Sequence, residues 1–367
     1  MTRIFGSPST YVQGAGSLFQ SASYIQSLGN HALLLADQIV FDLVGKQYCD
    51  YLTKEGLTVQ PVIFNGEASD NEIVRVGALG KQAQTQVIIG LGGGKTLDSA
   101  KAIADDLKIA VAILPTLAST DAPCSRLSVL YTDDGAFAKY RFYDQNPNLV
   151  LVDTKVVADA PARLFASGIA DALATNIEAQ AVAKGSNDTM LGAKQTAVGI
   201  AIAEECEATL FEYGIEAYAS VQNHVASKAV ENVVEANTLM SGLGFESGGL
   251  AAAHAIHNGL TALTGDIHHM THGEKVAFGT LTQLFLEGAD QARFEKYLKF
   301  DLELGLPTTF ADLHIDGISD ADLLKVGTLA TASEDTMQQM PFEVTPEDVV
   351  QAMKGVDTYS RYYQRKH

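Results

Sequence analysis

Cysteine is scarce in this 367-residue chain, positive charge is in deficit, and long apolar runs are missing. Each absence removes a class of protein. Cys49, Cys124 and Cys206 are odd in number and far apart, so they suit neither a disulfide framework nor a zinc ribbon. That usage fits a reducing compartment, and a cytoplasmic location is expected. Lys and Arg number 25 against 44 Asp and Glu, a net charge of −19. A surface of that sign repels phosphate backbones and anionic lipid, so neither nucleic-acid binding nor membrane docking is expected. No stretch approaches the roughly 18 apolar residues of a membrane span. The opening "MTRIFGSPSTYVQGAG" lacks the apolar core of a secretory signal. Three common motifs are absent as well. There is no HExxH. Walker A needs glycine five residues before Gly94, where Ile89 stands, and G-x-G-x-x-G fails from Gly90 because position 95 is lysine.

What is there suits a soluble globular protein, with 47% hydrophobic and 19% charged residues and length enough for two domains. Up to about residue 155, strand-like and helix-like segments alternate. "HALLLAD" (31–37), "LTVQPVIFNG" (57–66), the start of "QVIIGLGGGKTLDSAKAIADDL", and "IAVAILPT" (109–116) read as strands. Ser69-Asp70-Asn71-Glu72 reads as a capping box opening a helix to about Gln84. The alternation predicts a parallel, Rossmann-like nucleotide-binding sheet with helices on both faces. "LSVLYTDDGAFAKYRFYDQ" (127–145) predicts a hairpin about Asp134-Gly135, and "NLVLVDT" (148–154) one more strand. Beyond that, Ala-rich stretches and the helix start Thr345-Pro346-Glu347-Asp348 predict an all-helical half. The expected division is an α/β domain over 1–160 and an all-α domain over 161–367, with no repeat and no low-complexity linker.

"IIGLGGGKTLDSAKA" (88–102) runs from strand through glycines into helix. Bare N–H groups and the helix dipole at such a turn bind phosphate oxygens, and Gly92, Gly93 and Gly94 let a phosphate come close. Asp37 ends the first apolar strand. There an acid can accept a ribose 2′-OH and repel a 2′-phosphate, which predicts NAD over NADP; it equally suits a helix cap. Asp121, in "LASTDAPCSRLSVLYTD" (117–133), follows a strand end, where open α/β sheets bind ligands. Cys124 beside it reads as a packed thiol.

Five of the nine histidines fall in "HAIHNGLTALTGDIHHMTH" (254–272). His254 and His257 would share a helix face, whereas Thr264-Gly265-Asp266 breaks the pattern before His268, His269 and His272. Imidazole nitrogens and carboxylate oxygens are zinc ligands, but any one of these histidines could equally be a hydrogen-bonded core or surface residue. "SGIADALATNIEAQ" (167–180) places Asp171 at the start of an Ala-rich helix, where an acid also suits the helix dipole.

With "GLGGGKTLD", "PTLASTDAPCS", "DALAT", "FESGGLAAAHAIHNGLTAL" and "HGEKVAFGTLTQL" in order, the sequence resembles the glycerol dehydrogenases of the iron-containing alcohol dehydrogenase superfamily over nearly its whole length. The resemblance implies a dehydroquinate synthase-like fold, NAD and zinc as cofactors, and reversible oxidation of glycerol or another small vicinal diol. It implies that the metal lies on Asp171, His254 and His272, leaving His257 nearby and His268 and His269 in a connecting loop. It implies pyrophosphate on Gly93, Gly94 and Lys95, ribose near Asp37, and a cofactor lining of Thr116, Ser119, Ser125, Leu127 and Tyr131. Asp121 matches a substrate-contacting carboxylate, and a homo-octamer is implied. The superfamily's iron enzymes carry a further ligand histidine four residues after the aspartate; here Thr175 stands there, which suits zinc better. The alternatives on the same fold are an sn-glycerol-1-phosphate dehydrogenase-like enzyme or a dehydroquinate synthase-like lyase. Both need cations for a phosphorylated substrate, and only Arg126 and Lys275 lie near the motifs.

Overall fold

A computed structural model describes residues 2–367. They form two compact units. The first comprises Gly6–Pro161 and Ser220–Gly242; the second comprises the chain's start as far as Phe5, Ala162–Ala219 and Leu243–His367.

In the first unit, continuous apolar runs become central strands covered on both faces, and more polar, partly exposed segments form the sheet edges. They are β1 (Thr10–Gln13), β2 (His31–Ala36), β3 (Thr58–Ile63), β4 (Val87–Gly92), β5 (Ala110–Pro115) and, after the hairpin strands β6 (Leu127–Tyr131) and β7 (Phe137–Phe142), β8 (Leu149–Val152). The sheet order is β1-β8-β5-β4-β2-β3, and every pairing in it is parallel. Along β2, Leu34 joins a core with Ile89, Leu114, Tyr48 and Leu52, while Leu33 turns to the opposite face and meets Gly80 of the helix Asp70–Gln82. The chain leaves β2 toward β3 on one side and returns to β4 on the other. The carboxyl ends of β2 and β4 therefore lie at a topological switch point, where such sheets bind ligands.

The hairpin β6–β7 pairs antiparallel about the turn Thr132–Ala136, as its Asp-Gly predicts. The helix after Ser69 ends at Gln82, and its box is only half made. Ser69 caps the Glu72 N–H, but the Glu72 carboxylate turns to the Asn65 N–H and to Arg75. A guanidinium on the same helix is a stronger partner than a backbone amide.

Sequence gave no sign that Ser220–Gly242 would return to the sheet unit. Glu231 anchors it: Gln13 donates to its backbone carbonyl at 2.8 Å and to its carboxylate at 3.0 Å, and Thr154 bonds the same carboxylate.

Within 162–367 the described residues form helices and connecting turns without a strand. The long helix Ala162–Gly185 is rich in small buried residues, among them Ala166, Gly168, Ala170 and Ala172, so neighbouring helices approach it closely. Among the described residues, no helix is long and apolar enough to cross a membrane.

Candidate active site

The glycine turn is built by three different requirements. At Gly90 a Cβ would stand 2.7 Å from the Ala100 Cβ, so this glycine seats the helix Gly94–Leu107 on β4. Gly92 holds φ at +153°, which a side chain resists. Gly93 and Gly94 have no such reason: an added Cβ would meet only Leu117 Cδ1 at 3.6 Å and Thr120 Oγ1 at 3.7 Å. The space over them is open to a ligand. Gly93 is the N-cap and has no side chain to take the first helical N–H groups, which leaves them for an anion.

A cavity of about 270 Å³ lies there, lined by Asp37, Phe64, Gly66, Gly93, Gly94, Lys95 and Thr96. Adjacent strands bring Asp37 and the turn together, since Leu35 of β2 pairs Gly90 of β4. Asp37 Oδ1 accepts from the Val40 N–H at 2.9 Å, so it caps a short helix with one oxygen while its side chain borders the cavity. The helix-cap reading of this acid therefore holds. Lys95 pairs with Glu67 and stands 4.9 Å over the Tyr131 ring. Burial pushes the Tyr131 hydroxyl up to about 12, keeping it neutral.

Thr116 N–H donates to the Gly92 carbonyl at 3.1 Å, which ties the end of β5 to the turn. Ser119 is half-buried in the loop that follows, and Asp121 is buried and takes a hydrogen bond from Ser241 Oγ at 3.3 Å. Ser125 is fully buried, and the Leu127 carbonyl accepts from the buried Lys101 ammonium at 2.9 Å. Cys124 is packed at 0% exposure, as expected of an inert thiol.

In the helical unit, Asp171, His254 and His272 converge. Asp171 is not in a first turn: its helix begins at Ala162, which puts the carboxylate in the interior at 0% exposure. A dipole or cap role is thereby removed, because both belong to the first turn. His254 is the third residue of the helix Ala252–Leu260, and His272 opens the helix His272–Leu286. His254 Nε2 lies 3.4 Å and His272 Nε2 3.1 Å from the same oxygen, Asp171 Oδ1. One ligand atom from each residue lies within 4.8 Å of the others, a separation that one metal ion could bridge.

Glycines set the spacing. A Cβ on Gly273 would fall 1.8 Å from the Ser167 carbonyl oxygen, one turn before Asp171, and one on Gly279 would fall 2.3 Å from the Ala253 carbonyl. Thr271 caps the His272 helix in a full capping box with Glu274, and Arg163 grips that carboxylate from the Asp171 helix at 2.6 and 2.8 Å.

Glu178, two turns beyond Asp171, escaped the reading of the sequence. Its Oε1 accepts from the Ala251 and His254 N–H groups at 2.8 and 3.0 Å, and its Oε2 lies 2.6 Å from His254 Nδ1. With Nδ1 donating to this carboxylate, Nε2 is turned toward Asp171 and His272, the arrangement that orients a metal-binding imidazole. The seven-residue spacing was a signal, since it returns to the same helix face.

Burial alone would lower the His254 pKa, but the Glu178 and Asp171 carboxylates hold it well above its ordinary value. Burial would likewise raise that of Asp171, and the two imidazoles hold it down instead. His257 packs against His272 with ring centroids 4.1 Å apart and planes tilted by 56°, and burial pushes its pKa well below normal. His268 and His269 are exposed in a short turn, 266–269. Thr175 is buried one turn after Asp171, and a Cβ on Gly244 would collide with its methyl at 2.5 Å. Arg126 donates to the Asp144 carbonyl at 3.1 Å.

Residues 8–154 match the family model "Iron-containing alcohol dehydrogenase". The chain is 47% identical to a glycerol dehydrogenase of Escherichia coli over 99% of both chains. It is also 47% identical to a glycolaldehyde reductase of Halobacterium salinarum, over 98% of this chain and 99% of that one. The crystal structure of the glycerol dehydrogenase from Schizosaccharomyces pombe superposes with a TM-score of 0.96 at 44% identity, covering 100% of this chain and 93% of the other.

Proposed function

Since this chain belongs to the iron-containing alcohol dehydrogenase family, we propose that it oxidises glycerol reversibly to dihydroxyacetone with NAD, and accepts other small vicinal diols. The observation that carries this reading is the convergence of two imidazole Nε2 atoms on the buried Asp171 carboxylate. Asp171, His254 and His272 would hold a divalent ion, which supplies Lewis acidity to the hydroxyl being oxidised. Two imidazoles and a carboxylate suit zinc and ferrous ion alike, and Thr175 where a fourth ligand would stand is what favours zinc.

The sheet unit contributes the cofactor's grip. Gly93, Gly94 and Lys95 would receive the pyrophosphate, Asp37 the adenosine ribose, and Thr116, Ser119, Ser125, Leu127 and Tyr131 would line the rest. Asp121 would accept a hydrogen bond from a substrate hydroxyl and so orient the carbon that loses hydride. The assembly proposed is a homo-octamer, to be checked by light scattering.

The test is dialysis against a chelator followed by assay with glycerol and NAD, then again after zinc or ferrous ion is restored. Full activity of the stripped protein would overturn the scheme, and the better restoring ion decides the metal. The Halobacterium relative supports a second reading, reduction of glycolaldehyde. Comparing kcat/KM for glycerol with NAD and for glycolaldehyde with NADH separates the two.

A further inference from the structure

The loop from Thr116 to Arg126 is fixed on two flanks by buried groups outside it. From the helix Gly94–Leu107, Lys101 donates to the carbonyls of Ala122 at 2.5 Å and Leu127 at 2.9 Å. Asp98 balances that charge at 3.2 Å and accepts the Val129 N–H at 2.9 Å. From the other flank comes the end of the returning segment 220–242. Asn237 Nδ2 donates to the Ala118 carbonyl at 3.0 Å, and Ser241 Oγ donates to Asp121 Oδ2 at 3.3 Å. Gly242 follows, where a Cβ would come within 2.9 Å of Cys124 Cβ and 3.0 Å of the Asp121 carbonyl oxygen. Asn237 and Ser241 are both fully buried. A π-helical turn, Ala236–Met240, stands immediately before Ser241, and such wide turns re-aim the residues that follow them.

We propose that Ser241 is a positioning residue that aims the Asp121 carboxylate at the substrate hydroxyl, with Asn237 and Gly242 seating the segment that delivers it. Lys101 and Asn237 hold the loop's backbone; neither reaches the Asp121 side chain. A carboxylate on two rotatable bonds samples several rotamers, and a hydroxyl donor on one oxygen favours one of them. Rate depends steeply on such orientation. Gly242 allows the approach, because any side chain there would push the segment off the loop. The role also accounts for the excursion of residues 220–242 from the helical unit into the sheet unit. The inference rests on Asp121 being the substrate carboxylate.

The experiment is a double-mutant cycle on the zinc-loaded enzyme with glycerol and NAD, using Ser241→Ala, Asp121→Asn and the pair. Ser241→Ala is expected to raise KM for glycerol about tenfold, the worth of a hydrogen bond to a charged group. NADH affinity by fluorescence, zinc content and melting temperature should stay near wild type. In the Asp121→Asn background the same change should cost less, because the hydroxyl no longer meets a charged acceptor. An unchanged KM in Ser241→Ala, additive losses in the pair, or a joint fall in NADH affinity, zinc content and melting temperature would each overturn the proposal. If Asp121→Asn alone leaves kcat/KM intact, the reading of Asp121 as substrate carboxylate falls. If Asp121→Asn is impaired and Ser241→Ala silent, the positioning role alone falls.

Discussion

Glu178 accepts three hydrogen bonds, two of them from the backbone that starts the His254 helix and one from His254 itself. Glu178→Gln is expected to weaken zinc binding about 10- to 100-fold, the usual cost of losing a carboxylate behind a metal-bound imidazole. Competition with a chromogenic chelator reads this directly, and an unchanged affinity would leave Glu178 as a helix cap only. Asp37 carries a second residue-level prediction. Asp37→Ser keeps a helix-capping oxygen and removes the charge, so the preference for NAD over NADP should fall at least about tenfold. An unaltered ratio of kcat/KM for the two cofactors would confine Asp37 to its cap. Both acids could be seen in the sequence, yet only Asp37 drew notice there. It ends a strand, a position with a known use, whereas Glu178 sits inside an Ala-rich helix where an acid is ordinarily a solvated one.

Two glycines on different elements should respond oppositely to the same substitution. Gly273→Ala forces a Cβ against the Ser167 carbonyl, so it should destabilise the fold by roughly 1–3 kcal/mol or more and deplete zinc together. Gly93→Ala meets no protein atom closer than 3.6 Å. It should melt like wild type and bind NADH about tenfold more weakly, because the added methyl stands where phosphate must approach. Weak NADH binding in neither variant would remove the turn from the cofactor site.

The half-made capping box gives an acid-stability prediction. Burial would raise the Glu72 pKa, but hydrogen bonds from Arg75 and Asn65 hold it below the ordinary glutamate value. A carboxylate lowered on folding stabilises the fold above the ordinary value, and that contribution is lost as pH falls through the lowered one. Denaturant titrations of Glu72→Gln should show a deficit of roughly 1–3 kcal/mol at neutral pH that shrinks toward zero in acid. A deficit independent of pH would place the effect in packing instead. At the scale of elements the sequence was largely readable. Continuous apolar runs marked the covered strands, and Asp134-Gly135 marked the hairpin. The start of the helix Ala162–Gly185 was hidden, because Pro161 before it carries no capping side chain.

For the whole molecule, the metal-ligand set belongs to the helical unit and joins three helices, so binding there is linked to folding. Zinc at about 100 times its dissociation constant should add roughly 2.7 kcal/mol to stability, seen as a rise in melting temperature over the chelated protein. No rise would show that these side chains hold no ion in solution. By itself the sequence determined the alternation of strands and helices, the strand–glycine–helix form of the turn at Gly92–Gly94, and an acidity that disfavours polyanionic partners. Each depends on neighbours a few residues apart or on composition, and local periodicity reports both. Only the tertiary structure decided which histidines meet Asp171, that Glu178 stands behind one of them, and that residues 220–242 return to brace the loop of Asp121. Those pairs are separated by tens of residues or more in the chain. Their distances are set by helices packing at Gly273, Gly279 and Gly242, where close approach depends on the partner surface, and no spacing rule encodes that surface.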